Sequence, residues 1–367
     1  NALDKTSPDL IPASVIRDIL EYHVITSAAL LSTDLSNSSA ATLGGESIEI
    51  NVDNGVVLNG SVNVTTPNIE ATNGVVHIVD AVLIPPSIAP LVGTVAGVAY
   101  FDVNFTTLVA ALDKANLVTT LINPDANFTV YAPTNDAFTA AGITSLDDLD
   151  ADALTPILLY HVLGMEVASS QLENGQAVVT QNEGSFYISL NDNGAFINGN
   201  TEITGFDITA SNGTVHVINR TLTPPTGNLL TVAGDAGFTQ LAAAIERAGL
   251  VETVRDGGPF TVFAPTDDAF TELYRILDVQ GVDEIAVETL RNVLLYHVVS
   301  GRVFSTDLTD GVMVDPALEG MATFTVNLGD QVTITDNSAD TQDAEVTGFN
   351  VLATNGVIHI IDQVILP

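Results

Sequence analysis

The chain has 367 residues, no cysteine, and 45 Asp plus Glu against 9 Lys plus Arg, a formal net charge of −36. Without cysteine there are no disulfides, thiolate metal sites or cysteine nucleophiles, and so negative a surface repels phosphate backbones, so nucleic acid is not an expected partner. The length exceeds one ordinary domain, and although 46% of residues are hydrophobic, no apolar run approaches the ~18 to 20 residues that span a bilayer.

The first periodic segment is a helix, with Ile16, Ile19, Leu20 and His23 on one face and the Tyr22-His23 pair at its end. Asp53-Asn54-Gly55 is a turn signal between β-branched runs and predicts a hairpin. Val75 to Ile84 is almost continuously apolar, the pattern of a strand buried on both faces, and Pro85-Pro86 follows it.

Phe105, Leu108, Val109 and Leu112 then fall at helical spacing. Phe128 to Tyr131 reads as a short strand stopped by Ala132-Pro133. A helix is expected to start at Thr134, whose hydroxyl caps free amides while Asp136 suits the positive end of the dipole. Thr155-Pro156 reads as a cap and a first-turn proline for the helix carrying Leu154, Ile157, Leu158 and His161. Asp192-Asn193-Gly194 marks a second hairpin.

The same succession returns: Phe238, Leu241, Ala242 and Ile245 on a helix, Phe260 to Phe263 as a strand, and a cap at Thr266 ahead of Asp267 and Asp268. Leu290, Val293, Leu294 and His297 then lie on another helix face. Pro224-Pro225, like Pro85-Pro86, leaves no long flexible linker, so neighbouring domains are expected in a stiff, rod-like relation.

Three landmarks make the repetition explicit. Tyr-His pairs stand at 22–23, 160–161 and 296–297. Asn-Gly-x-x-His stands at 73–77, 212–216 and 355–359. Thr-Val-Tyr/Phe-Ala-Pro-Thr-x-Asp-Ala-Phe stands at 129–138 and 261–270, twice rather than three times. The beat is roughly 140 residues, about one domain length.

These boxes, in this order, resemble the fasciclin family over essentially the whole chain. The resemblance divides it into the C-terminal half of a domain at 1–86 and complete domains at 87–225 and 226–367. It implies an α+β fold, each unit a twisted β-sandwich or wedge with packed helices, in a secreted or cell-surface adhesive protein. In animal members the Tyr-His region and an Asp-Ile pair have been linked to integrin recognition. The candidate interaction residues carried over are Tyr22, His23, Tyr160, His161, Tyr296, His297, Asp207 and Ile208. The Asp-Ile counterparts are Asn68-Ile69 and Asn350-Val351.

All six histidines belong to the repeat, two per unit, which favours buried, hydrogen-bonded structural roles over metal ligation. A catalytic zinc needs three protein ligands and an open position, so no metal and no cofactor is expected. No Gly-x-Ser-x-Gly elbow frames a nucleophile, and Asp147-Asp148 and Asp267-Asp268 read as solvated charge at loops or helix starts, so the chain is not expected to be an enzyme. The acidic turns lack the twelve-residue calcium loop. The expected function is extracellular or cell-surface adhesion, with protein or glycan ligands, or a copy of itself, as partners. The alternative is a passive spacer or accessory subunit of a surface assembly, and hydrolysis ranks behind both. Salt screens the self-repulsion of so acidic a surface, so a saline setting fits it. No charged-then-apolar leader opens the sequence, so any secretion signal is expected to have been removed or to lie upstream. The first unit, lacking its N-terminal half, is expected to expose Ile16, Ile19, Leu20 and the 75–84 strand, and to be completed by an upstream half.

Overall fold

The computed structural model describes residues 7–317, 320, 323–339 and 341–367. The chain packs as two compact units, one of residues 1–158, 162–168 and 205–217 and the other of residues 159–161, 169–204 and 218–367.

The first unit opens with α1 (Ala13–Tyr22) and a five-stranded antiparallel sheet of β1 (Ser38–Ala41), β2 (Ser47–Asn51), β3 (Val57–Leu58), β4 (Val62–Ala71) and β5 (Gly74–Val79), neighbours in that order. β2 alternates, turning Ile48 and Ile50 inward against Tyr22, Val62 and Leu83. Next come α2 (Val95–Tyr100), α3 (Thr106–Lys114), α4 (Val118–Leu121), β6 (Phe128–Pro133), α5 (Asn135–Ala140), α6 (Ala151–Tyr160) and β7 (Val162–Leu163). Leu108, Ala111, Leu112, Leu121, Phe128 and Leu154 form their core, and Val15 and Ile19 of α1 pack into the same cluster.

Local chemistry sets the helix starts. Thr134 Oγ accepts from the Ala137 N–H, the cap read from the sequence. The expected cap at Thr155 is not used. α6 begins at Ala151, the Asp150 carboxylate accepts the Ala153 N–H at 2.8 Å, and the Thr155 hydroxyl bonds back to Ala151 O. A carboxylate at the dipole's positive end is the stronger cap, and the helix carries Pro156 in its interior with one backbone bond fewer.

The first repeat also differs in its burial. β5 stops at Val79, and Val76 and Ile78 are exposed; Val76 is 53% exposed where its counterpart Ile358 is 2% exposed. Leu20 is 60% exposed where Leu294 is 4%, while Ile19 is buried. In the third repeat a parallel strand lies against the last one, Val262 opposite Ile358. β5 has no such neighbour among the described residues and forms the edge of its sheet.

The chain continues through β8 (Ala177–Val179), β9 (Ser185–Asn191), β10 (Gly194–Ile197), β11 (Thr201–Ala210) and β12 (Gly213–Ile218). The sheet order is β7-β6-β12-β11-β10-β9-β8. In the second unit follow α7 (Leu229–Asp235), α8 (Thr239–Arg247), α9 (Val251–Asp256), β13 (Phe260–Pro265), α10 (Asp267–Leu277), α11 (Val287–Tyr296), β14 (Val298–Ser300), β15 (Val312–Val314), β16 (Phe324–Leu328), β17 (Val332–Thr335), β18 (Ala344–Ala353) and β19 (Gly356–Ile361). Their order, β14-β13-β19-β18-β17-β16-β15, repeats the earlier sheet strand for strand.

The third repeat has two cores. One lies between helices and sheet, around Leu241, Ile245, Phe270, Leu290 and Ile358. The other gathers the inward residues Phe263, Phe324, Val326, Ile334, Val346 and Ile361 of five strands, with Tyr296 among them. The fold is α+β, as the motif order implies, with the Tyr-His helix end seated against the second of these cores.

Candidate functional site

The Tyr-His pairs sit at the C-terminal ends of α1, α6 and α11. The rings of Tyr22, Tyr160 and Tyr296 are at most 1% exposed. Buried hydroxyls need partners. Tyr22 Oη donates to Ser47 O and accepts from Asn59 Nδ2, both at 2.9 Å. Tyr160 donates to Ser185 O at 2.7 Å, and Tyr296 accepts from Asn337 Nδ2 at 3.0 Å. Burial pushes the Tyr160 hydroxyl up to about 12, against the opposing pull of a hydrogen bond with Asn198.

The adjacent histidine joins the helix end to the segment after the last strand. Nε2 of His23, His161 and His297 accepts the N–H of Leu83, Leu222 and Ile365 at 3.0, 2.8 and 3.1 Å. An accepting Nε2 carries no proton, so the neutral ring holds it on Nδ1. From there His23 and His297 donate to the carbonyls of Ile19 and Val293 at 2.7 Å. Desolvation lowers His297 to about 4, outweighing the bond to Val293.

The second histidine of each repeat uses the opposite tautomer. Nε2–H of His77, His216 and His359 donates to Leu30 O, Val167 O and Val303 O at 2.8 to 2.9 Å. Nδ1 of His77 and His216 faces the N–H of Asn68 and Asp207 at 3.4 and 3.3 Å. His359 stacks on Phe263 with centroids 5.4 Å apart, and burial lowers its pKa.

Asn68, Asp207 and Asn350 are equivalent, and all three are left-handed, with φ of 61°, 55° and 60°. Asn68 and Asn350 lie where the registers of β4 on β5 and β18 on β19 shift. Asn and Asp tolerate this backbone better than other side-chain-bearing residues. Asn68 Oδ1 accepts the Ser32 N–H at 2.7 Å, and Asn350 Oδ1 accepts the Ser305 N–H at 2.8 Å. Asp207 is exposed where Asn350 is buried. Its neighbours Phe206 and Ile208 are also exposed. The carried-over residues therefore separate into two environments: the tyrosines, His161 and His297 are buried and bonded, whereas Asp207 and Ile208 lie at the surface.

Two further sets hold this geometry, and their spacing alone did not single them out. Asn212 Oδ1 accepts the Val95 N–H at 2.9 Å while its Nδ2 donates to Leu121 O and Asn123 O; Asn355 does the same for Leu229, Val254 and Gly257. Thr129 Oγ donates to Met165 O and accepts from the Val167 N–H, and Thr261 does so for Gly301 and Val303. The available signal was their recurrence inside the boxes at 129, 261, 212 and 355. Among the described residues no group of three or more His, Asp or Glu is arranged to hold a metal ion, and no helix is long and apolar enough to cross a membrane.

The Fasciclin domain family model matches residues 2–85, 103–224 and 236–367. The chain belongs to the fasciclin-domain family. It is 30% identical to Transforming growth factor-beta-induced protein ig-h3 of Sus scrofa over 356 residues, 96% of this chain and 49% of that protein. It is 27% identical to Periostin of Homo sapiens over 95% of this chain and 40% of that protein. The chain thus spans about half the length of these relatives or less. Protein sll1483 of Synechocystis is 39% identical over 139 residues, 37% of this chain and 70% of that protein. The solved FAS1 domain pair of the insect cell adhesion molecule Fasciclin I aligns with a TM-score of 0.34 and 19% identity, covering 70% of this chain and 92% of that one.

Proposed function

We propose that the chain is an adhesion or matrix-interaction protein acting outside the cell, without catalysis, and that it binds a protein ligand through the bulge at Phe206-Asp207-Ile208. The observation that carries the reading is the contrast between equivalent positions: Asn350 is buried and Val351 half-buried, while Asp207 and Ile208 are exposed, beside an aromatic, Phe206 or Phe349, that is exposed in both repeats. An aromatic, a carboxylate and an aliphatic side chain grouped at one exposed bulge offer an apolar anchor with a charged rim, the composition of a contact surface. Family membership and the long alignment with the ig-h3 protein and periostin support the same class. Buried as they are, Tyr160 and His161 would act on a ligand only through the residues that cover them.

The test is binding of the intact chain to immobilised matrix proteins and to a glycan array, with and without calcium. Ile208→Ser and Asp207→Asn should weaken binding to the protein surface at least about tenfold with melting unchanged, since Asn serves at the same position in the other two repeats. No binding to either array would favour a passive spacer, and binding to glycans alone would remove the bulge from the site.

A further inference from the structure

Within the second unit a set of contacts joins the second repeat to the third. The β9–β10 hairpin and the Asn198-Gly199 turn after it meet the segment 302–306 and the bulge at Asn350. Asn350 Nδ2 donates to Gly199 O at 2.9 Å, Ser305 Oγ donates to the same carbonyl at 3.3 Å, and Asn191 Nδ2 donates to Thr306 O at 2.8 Å. The Arg302 guanidinium lies 4.4 Å from the centroid of the Tyr187 ring and donates to Thr354 O at 2.6 Å. The rings of Tyr187 and Phe304 are 6.1 Å apart.

Gly199 shows how close this approach is. At its φ of 71° a Cβ would stand 2.5 Å from Phe304 Cβ and 2.9 Å from Asn350 Nδ2. Gly60, its counterpart in the first repeat, has a φ of 72°, and a Cβ there would meet nothing within 4 Å. The turn conformation alone therefore accounts for Gly60. Gly199 is also required by what presses against it.

Both sides of the contact are rooted in cores. Tyr187 lies between Phe186 and Ile188, each fully buried. On the other side the Val303 N–H donates to Thr261 on β13, and Phe304 is 2% exposed. Neither partner can fray away without opening buried structure.

We propose that Gly199, Asn350, Arg302 and Tyr187 form an interlock that makes the β8–β10 strands of the second repeat and the whole third repeat one cooperative unit. Opening of the third repeat then releases the second repeat's hairpin. A half-buried guanidinium over an aromatic face and the buried amide bond from Asn350 to Gly199 supply coupling that proline linkers alone do not.

Hydrogen exchange on the intact chain tests this. Leu241→Ala lies in the third repeat's helical core, where Leu241 is 3% exposed, and is remote from the junction residues in sequence. It should raise exchange of the β9 and β10 amides at least about tenfold, because the hairpin opens with the third repeat. Adding Gly199→Ala with Arg302→Ala should cut that transmitted rise to less than about twofold. If that double variant fails to fold, Arg302→Ala with Asn191→Ala removes two contacts without backbone strain and is scored the same way. Gly60→Ala serves as the control and should leave transmission intact. Unchanged β9–β10 exchange in Leu241→Ala, or transmission surviving in the scored junction variant, overturns the interlock.

Discussion

Replacing His297 by alanine should destabilise the third repeat by about 4 kcal/mol at neutral pH. Two backbone groups lose a partner: the Ile365 N–H, which donates to Nε2, and the Val293 carbonyl, which accepts from Nδ1. Each costs roughly 1–3 kcal/mol when left unpaired away from water. The loss depends on pH. The ring protonates near 4 when folded against a normal 6.5, so between these values the unfolded chain binds a proton that the folded one refuses. Stability therefore rises with pH through that window and is flat above it. The full gap is worth about 3 kcal/mol, a term that His297→Ala lacks. The difference between wild type and variant should shrink from about 4 kcal/mol at pH 7 to about 1 kcal/mol at pH 4. Calorimetry of the intact chain across that range measures it, with the third-repeat transition resolved from the others because a multidomain chain has no single melting point. A difference that stays constant from pH 7 to pH 4 would refute the assignment of a neutral ring fixed by its two backbone bonds.

Asn355→Ala should cost about 2–4 kcal/mol, since it frees the Leu229 N–H and the carbonyls of Val254 and Gly257 at once. Asn355→Asp should not rescue melting, because a carboxylate would face those carbonyls. Thr261→Val should cost about 1–3 kcal/mol by breaking the bonds to Gly301 O and the Val303 N–H, read by the same calorimetry. Gly213→Ala should cost more than about 3 kcal/mol, because φ is 143° and the new Cβ would lie 1.9 Å from Phe128 O; soluble yield and melting temperature report it. With a net charge of −36, melting should rise from low salt to seawater-like sodium chloride as repulsion is screened, and a flat or falling trend would count against this.

Much of the architecture was legible because it depends on short-range rules. The caps at Thr134 and Thr266 follow from a hydroxyl placed one turn ahead of free amides, and both are observed. The strands at Phe128 and Phe260 and the helices before them follow from apolar spacing. Where two local signals compete, spacing decides less. At α6 the proline suggested a first turn, and the carboxylate of Asp150 moved the helix start to Ala151. The apolarity of the Val75 to Ile84 run suggests burial on both faces, but burial needs a neighbour, and β5 lies at a sheet edge. Nor does composition distinguish Gly199 from Gly60: the two share a conformation, and only the packing of Phe304 and Asn350 separates them.

The candidate site was legible in its residues and less so in their roles, and the reason lies in what repetition can mean. A residue recurs in every copy either because each copy binds the same ligand or because each copy folds the same way. Tyr22, Tyr160 and Tyr296 with their histidines recur unchanged, and they meet backbone groups and side-chain amides that the fold itself supplies. The position of Asn68, Asp207 and Asn350 behaves differently. The left-handed bulge and the loop N–H that Asn68 and Asn350 hold require a short side chain with an accepting oxygen, and an amide meets that need in two copies. A carboxylate is more than the backbone demands. It occurs in the copy where this residue is itself exposed, between Phe206 and Ile208. Invariance across the repeats therefore goes with burial and bonding to the fold, and departure from it at an exposed position is what the proposed contact at Asp207 rests on.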